Sequence, residues 1–222
     1  MLLVLTVSPR GSGGQQVTYA ASVGPELDSV TQSVVAREIA LARDRSLPVE
    51  PLFAKVREGR LKSAKGTQIR TAVARLAARL DSARAALGPA STAEELIAGA
   101  DALNAGAGTL SLRELRAATN GRTITAPIGT LAQLVASGVQ PHRAVQMIVE
   151  LLRHNASPTQ LAALGNLVEG DVSSGLRPEE SATIRMRGIE GTLGSTGDKT
   201  TAASQPTTPP PPATSPPPRR KP

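Results

Sequence analysis

The sequence predicts an all-α protein. It reads as a single domain of about eight or nine short helices, an irregular bundle or a short helical-pair stack, with a disordered Pro/Thr-rich C-terminal tail. Three observations carry that reading. Aromatic residues are nearly absent, Tyr19 and Phe53 being the only two. The core must therefore be made of Leu, Ile, Val and Ala, and Ala and Leu are strong helix formers. Apolar residues recur at steps of three and four, which keeps them on one stripe of a helix. Between the stripes lie small-residue stops followed by capped or proline-led starts.

Residues 1–24 open with Leu2-Leu3-Val4-Leu5-Thr6-Val7 and then turn small and polar at Ser8-Pro9-Arg10-Gly11-Ser12-Gly13-Gly14. The apolar run is at the short end for a secretory signal, and no basic residue precedes it. One expectation is a truncated signal peptide whose true start lies upstream of Met1, which would place the mature protein in the periplasm or outside the cell. The other is a frayed N-terminal strand or arm on a cytoplasmic protein.

The helical domain is expected over residues 25–191. Its first helix spans 25–43, with Leu27, Val30, Val34 and Ile39 near helical spacing, and Ser46-Leu47-Pro48 breaks it. A short helix over 51–58 buries Leu52, Phe53 and Val56 and stops at Gly59. The strongest pattern lies at 67–87, where Ile69, Val73, Leu76, Leu80, Ala83 and Leu87 alternate steps of four and three. Burial of its large aliphatic side chains contributes about 1.5–3 kcal/mol each. Gly66 precedes that helix, and Gly88-Pro89 closes it.

Capping boxes mark the next starts. Thr92-Ala93-Glu94-Glu95 opens a helix striped by Leu96, Ile97, Ala100 and Leu103, which ends at Gly106-Ala107-Gly108. Ser111-Leu112-Arg113-Glu114 is expected to open a shorter one. The helix at 126–137 carries Ile128, Leu131, Leu134 and Val135. Pro141 leads a helix over 141–155 with Val145, Ile148, Leu151 and Leu152 on its apolar face. Pro158 leads another over 158–171, with Leu161, Leu164, Leu167 and Val168 inside. Pro178 opens the last, weaker in pattern, with Ala182, Ile184 and Ile189.

Two of these turns share one phrase, Ser137-Gly138-Val139-Gln140-Pro141 and Ser174-Gly175-Leu176-Arg177-Pro178. The recurrence suggests a duplicated helix pair. Beyond the turn the two stretches diverge, so the phrase reads as one instance of the chain's general punctuation. The tail at 192–222 holds nine Pro and seven Thr, too little apolar surface to offset its ordering entropy.

Candidate chemistry is sparse. Without cysteine there are no disulfides, thiolate nucleophiles or cysteine-ligated metals. No stretch approaches the ~20 apolar residues of a transmembrane span. His142 and His154 lie about 18 Å apart along one helix and cannot share a metal. Glu94-Glu95 and Glu179-Glu180 fall in first turns, where they complete caps and favour the helix dipole. Ala64-Lys65-Gly66-Thr67 echoes a phosphate loop in the wrong order and without a preceding strand. Gly11 to Gly14 is no dinucleotide fingerprint, and no serine has a nucleophile-elbow context. Neither an enzyme nor a cofactor is expected.

The net charge is +7, and it is concentrated: residues 37–88 hold twelve Lys or Arg against five acids. Lys55, Arg57, Arg60, Lys62, Lys65, Arg70, Arg75 and Arg79, with Arg84 beyond them, form a candidate anion-binding surface dense enough to meet phosphates. Against that, the arginines of the 67–87 helix scatter around its polar side, and stacking aromatics are absent. A solvated basic face is the simpler account; nucleic acid, membrane phosphates or cell-wall polymers remain compatible partners.

Pro51-Leu52-Phe53-Ala54-Lys55-Val56-Arg57-Glu58-Gly59, Lys65-Gly66 and Leu87-Gly88-Pro89-Ala90-Ser91 resemble phrases of a group of uncharacterised, Ala/Leu-rich, helical and often exported bacterial proteins. The resemblance covers roughly residues 46–190 and implies an envelope location. It implies no activity and transfers no functional residue. The expected function is a non-enzymatic helical module, protein-interacting or structural, of the bacterial envelope. The alternative is nucleic-acid or anionic-polymer binding through residues 55–84.

Overall fold

Helix boundaries in the computed structural model follow from local chemistry at each end. The structure describes residues 27–119 and 121–197. Among them it forms nine helices and no strand: α1 Ser29–Asp44, α2 Glu50–Leu61, α3 Gly66–Leu87, α4 Ala93–Ala105, α5 Thr109–Ala118, α6 Thr125–Ala136, α7 Pro141–Arg153, α8 Pro158–Ser173 and α9 Pro178–Gly197. Side-chain caps begin three of them. The Thr31 amide donates to Asp28 at 2.8 Å, and reciprocal boxes form between Thr92 and Glu95 and between Ser157 and Gln160. Pro141, Pro158 and Pro178 occupy first helical positions, where the missing N–H costs nothing.

Six helices end on one device. The first or second residue after the helix enters the left-handed region, and the next amide bonds back five residues. The left-handed residues are Ser46, Ser63, Gly106, Gly138, Asn155 and Gly175. The closing bonds run from the amides of Leu47, Ala64, Ala107, Val139, Ala156 and Leu176 at 2.9–3.0 Å. This satisfies carbonyls that a helix end leaves open. It also turns an aliphatic residue back toward the helix, and Leu47, Ala107, Val139 and Ala156 are buried there.

Packing follows chain order. α1 rests on α3, α3 on α4, α4 on α6 and α6 on α8, while α5 reaches α3 and α7, and α9 covers α8. α2 lies on α3. From α4 onward the successive pairs lie side by side as a short stack. One continuous aliphatic core runs from Val35 to Ile189. Small residues set how closely helices approach: a Cβ added at Gly99 of α4 would sit 2.9 Å from the Ala83 Cβ of α3.

Several expectations are corrected. Ser111 caps nothing: α5 already begins at Thr109, Gly108 is the residue before it, and Ser111 is buried inside the helix. The stripe of α1 is rotated by one residue, so Thr31, Val35, Ile39 and Ala42 are buried while Val30 and Val34 are exposed. Leu167 and Ile184 are exposed, and Phe53 is only half-buried. The last helix passes residue 191 and continues to Gly197. The expected N-terminal segment 1–24 and the tail beyond residue 197 lie outside the described residues. No helix among the described residues is long and apolar enough to cross a membrane.

Candidate functional site

α2, α3 and α4 enclose a cleft of about 450 Å³. Its floor is aliphatic, made by Leu76, Leu80 and Ile97 with small alanines from all three helices. Its rim is polar: Lys55 and Glu58 from α2, Arg75 and Arg79 from α3, Asp101 and Asn104 from α4. The arginines are four residues apart and so stand one turn above the other on one face of α3. Asp101 and Asn104 are three apart on α4 and share a face in the same way.

Of the predicted cationic residues, the cleft brings together Lys55, Arg75 and Arg79. The others are placed elsewhere or are engaged. Glu58 receives Lys55 and Lys62, each at 2.6 Å, and Arg57 reaches Glu50 at 2.9 Å. Arg70 turns toward α1 and donates to the Thr31 hydroxyl at 2.6 Å. Arg84 ties two turns together by donating to the carbonyls of Pro89 and Ser46 at 2.6 and 2.9 Å. Arg60, on α2, and Lys65, which precedes α3, do not line the cleft. Arg75 and Arg79 make no ion pair among the described residues.

The carboxylates differ in kind. Hydrogen bonds from Lys55 and then Lys62 hold Glu58 down to about 2, so it stays ionised. Asp101 is exposed at the rim, yet the surrounding walls desolvate it enough to raise its carboxyl above the usual range, against the nearby Lys55. Asp101 also borders a shallower apolar crevice beside α6, lined by Thr130, Gln133 and Ala162. Among the described residues no hydroxyl is hydrogen-bonded to Asp101. The arrangement is that of a binding cleft: fixed positive charge above an apolar floor, with a hydrogen-bonding amide at Asn104.

The histidines stand at opposite ends of α7, His142 against Gln146 at 2.9 Å and His154 against Glu150 at 3.2 Å. Among the described residues no group of three His, Cys, Asp or Glu could hold a metal ion.

Sequence reasoning assigned Glu95 only a cap. The structure gives it more, as Glu95 is 4% exposed and its carboxylate joins three helices. It accepts from the Thr92 amide at 3.1 Å, the Ile124 amide at 3.2 Å and Arg116 at 2.6 Å. Desolvation pushes its carboxyl up, and the Arg116 and amide hydrogen bonds outweigh that, leaving it below the usual value. Only the cap was legible, because Arg116 and Ile124 are distant in sequence. Asp101 and Asn104 were likewise missed. A lone acid and a lone amide on a polar helix face give no signal until α3 is laid beside them.

No family model, curated protein or solved structure matches this chain.

Proposed function

We propose that the protein is a non-enzymatic helical interaction module whose α2–α3–α4 cleft takes up an acidic, partly apolar segment of a protein partner. The observation that carries this is Arg75 and Arg79, without ion-pair partners among the described residues, standing over an aliphatic floor. Apolar contact with the floor supplies binding energy, and the guanidinium pair selects carboxylates in register. Use of residues 55–84 as a nucleic-acid track would draw on the same charges. Acidic neighbours hold Lys55, Arg57 and Lys62, and among the described residues the half-buried Phe53 is the only aromatic side chain.

A photo-crosslinking residue at exposed Asn104, irradiated in the source cells, tests the reading. A discrete protein adduct is expected, and it should vanish in the Arg75→Glu/Arg79→Glu variant. An adduct indifferent to that reversal would sink the proposal, as would a salt-dependent shift of labelled DNA at low salt. Placement in the bacterial envelope rests on the apolar run at residues 2–7 and on the resemblance to exported helical proteins. Intact-mass measurement of the protein recovered from envelope and cytoplasmic fractions tests it, and full-length protein found only in the cytoplasm would end it.

A further inference from the structure

The turns joining α6 to α7 and α8 to α9 lie 37 residues apart in the sequence. At that offset α6 and α8 end together at Ala136 and Ser173, and α7 and α9 begin together at Pro141 and Pro178. Burial corresponds as well: Ile124 with Leu161, Leu131 with Val168, Val145 with Ala182. Among the positions that break the correspondence, three carry large apolar side chains in the later pair. Thr130, Val139 and Met147 are buried, whereas their counterparts Leu167, Leu176 and Ile184 are 42%, 41% and 52% exposed.

The earlier pair has a later one laid against it. A side chain at Gly138 would meet Pro178, and the Gln140 amide donates to Glu179 at 2.8 Å. The last pair has none among the described residues, and Gly175 has open space beside it. Sequence and packing thus leave an apolar end face where a further helix pair would fit.

We propose that a second copy of this chain covers that face, with α9 packed antiparallel on α9 of the copy. Charge pattern favours this occupant. Glu180, Ile184 and Arg187 form one exposed stripe at steps of four and three. In an antiparallel pair centred beside Ile184, each Glu180 faces Arg187 of the other copy, so the stripe complements itself as a twofold contact requires. Neither charge has a partner within the chain among the described residues. Gly188 and Gly191 of α9 have open space beside them, which lets a second helix approach closely.

Sedimentation velocity on the full chain, over roughly a hundredfold range of concentration, reads the equilibrium. A concentration-dependent dimer is expected, and a monomer throughout overturns the proposal. Ile184→Glu should abolish the dimer while leaving the thermal melt of dilute, monomeric protein unchanged, since Ile184 is exposed within one copy. Glu180→Lys and Arg187→Glu should each weaken it about tenfold, and the double exchange should restore it. Failure of the double exchange to restore would overturn the antiparallel register. Because the chain has no cysteine, Ile184→Cys should form a disulfide-linked dimer on mild oxidation. Leu61→Cys, exposed on α2, should not. Crosslinking at residue 61 in preference to 184 would refute the contact.

Discussion

Ser46 and Ser63 hold the left-handed conformation at φ 55° and 50°, where a β-carbon crowds the backbone and glycine does not. Asn155 holds it at φ 57°, with a side chain that tolerates the region better. Ser46→Gly is therefore expected to stabilise by about 0.5–1 kcal/mol and Asn155→Gly by less, read as a shift in urea midpoint. Equal effects, or destabilisation by Ser46→Gly, would mean that the serine hydroxyls matter to the turn. At Glu95 the expected change is opposite and larger. Glu95→Ala strands Arg116 and the Ile124 amide, costing about 3 kcal/mol, the low end for a broken buried pair because Arg116 keeps some access to water. A loss under about 1 kcal/mol would show that water replaces the carboxylate. Of the left-handed residues that end helices, the sequence disclosed Gly106, Gly138 and Gly175 as stops. Ser46 was legible as part of a break, but its left-handed backbone, like that of Ser63 and Asn155, was not, since nothing local separates a left-handed serine from a helical one.

At the level of elements, the proline-led starts at 141, 158 and 178 and the Thr92 box were all legible, because each depends on residues within one turn. Ser111 misled for the same reason: Ser-x-x-Glu has one spelling whether the serine precedes a helix or lies inside it, and Gly108 had been read as an ending only. The rotated stripe of α1 was not legible, since Val30 and Val35 are equally apolar and only the placement of α3 chooses between them. The α3–α4 contact offers a test of how tightly elements are specified. Gly99→Ala gains about 1 kcal/mol of helix propensity, but its Cβ would stand 2.9 Å from Ala83 and 3.2 Å from Leu87. Overpacking costs about 1–3 kcal/mol, so net destabilisation is expected, with partial rescue by Ala83→Gly. A stabilised single variant on thermal denaturation would show that the two helices can separate cheaply.

Across the whole molecule, the all-helical class followed from composition and period, whereas the cleft arises only where α2, α3 and α4 meet. Lys55, Arg75 and Arg79 were therefore visible as members of a broad basic surface and not as the three cations that share a cleft. The last pair is held by a polar tie: Asp171 accepts from Arg185 Nε and from a terminal guanidinium nitrogen at 2.7 and 2.6 Å, and from Ser181 at 2.6 Å. The Arg185 and Ser181 hydrogen bonds hold Asp171 at about 2, below its ordinary 3.8. The tie therefore stabilises fully above pH ~4 and is lost as pH falls toward 2. Amide exchange, corrected for its intrinsic pH dependence, is expected to show α9 losing protection in that window before α4 and α6. Simultaneous loss across all helices would indicate that acid acts through the global equilibrium instead.

The chain-ordered packing also bears on how the protein is made. α3 finds α1 already synthesised, α4 finds α3, α6 finds α4 and α8 finds α6. No described helix must wait for the far end of the chain before it has something to pack against. Contacts so local in sequence close cheaply and favour rapid folding. During synthesis each new hairpin can settle on the one before it while the next is still inside the ribosome. The growing chain then exposes one unfinished apolar face at a time, and that face moves along with translation.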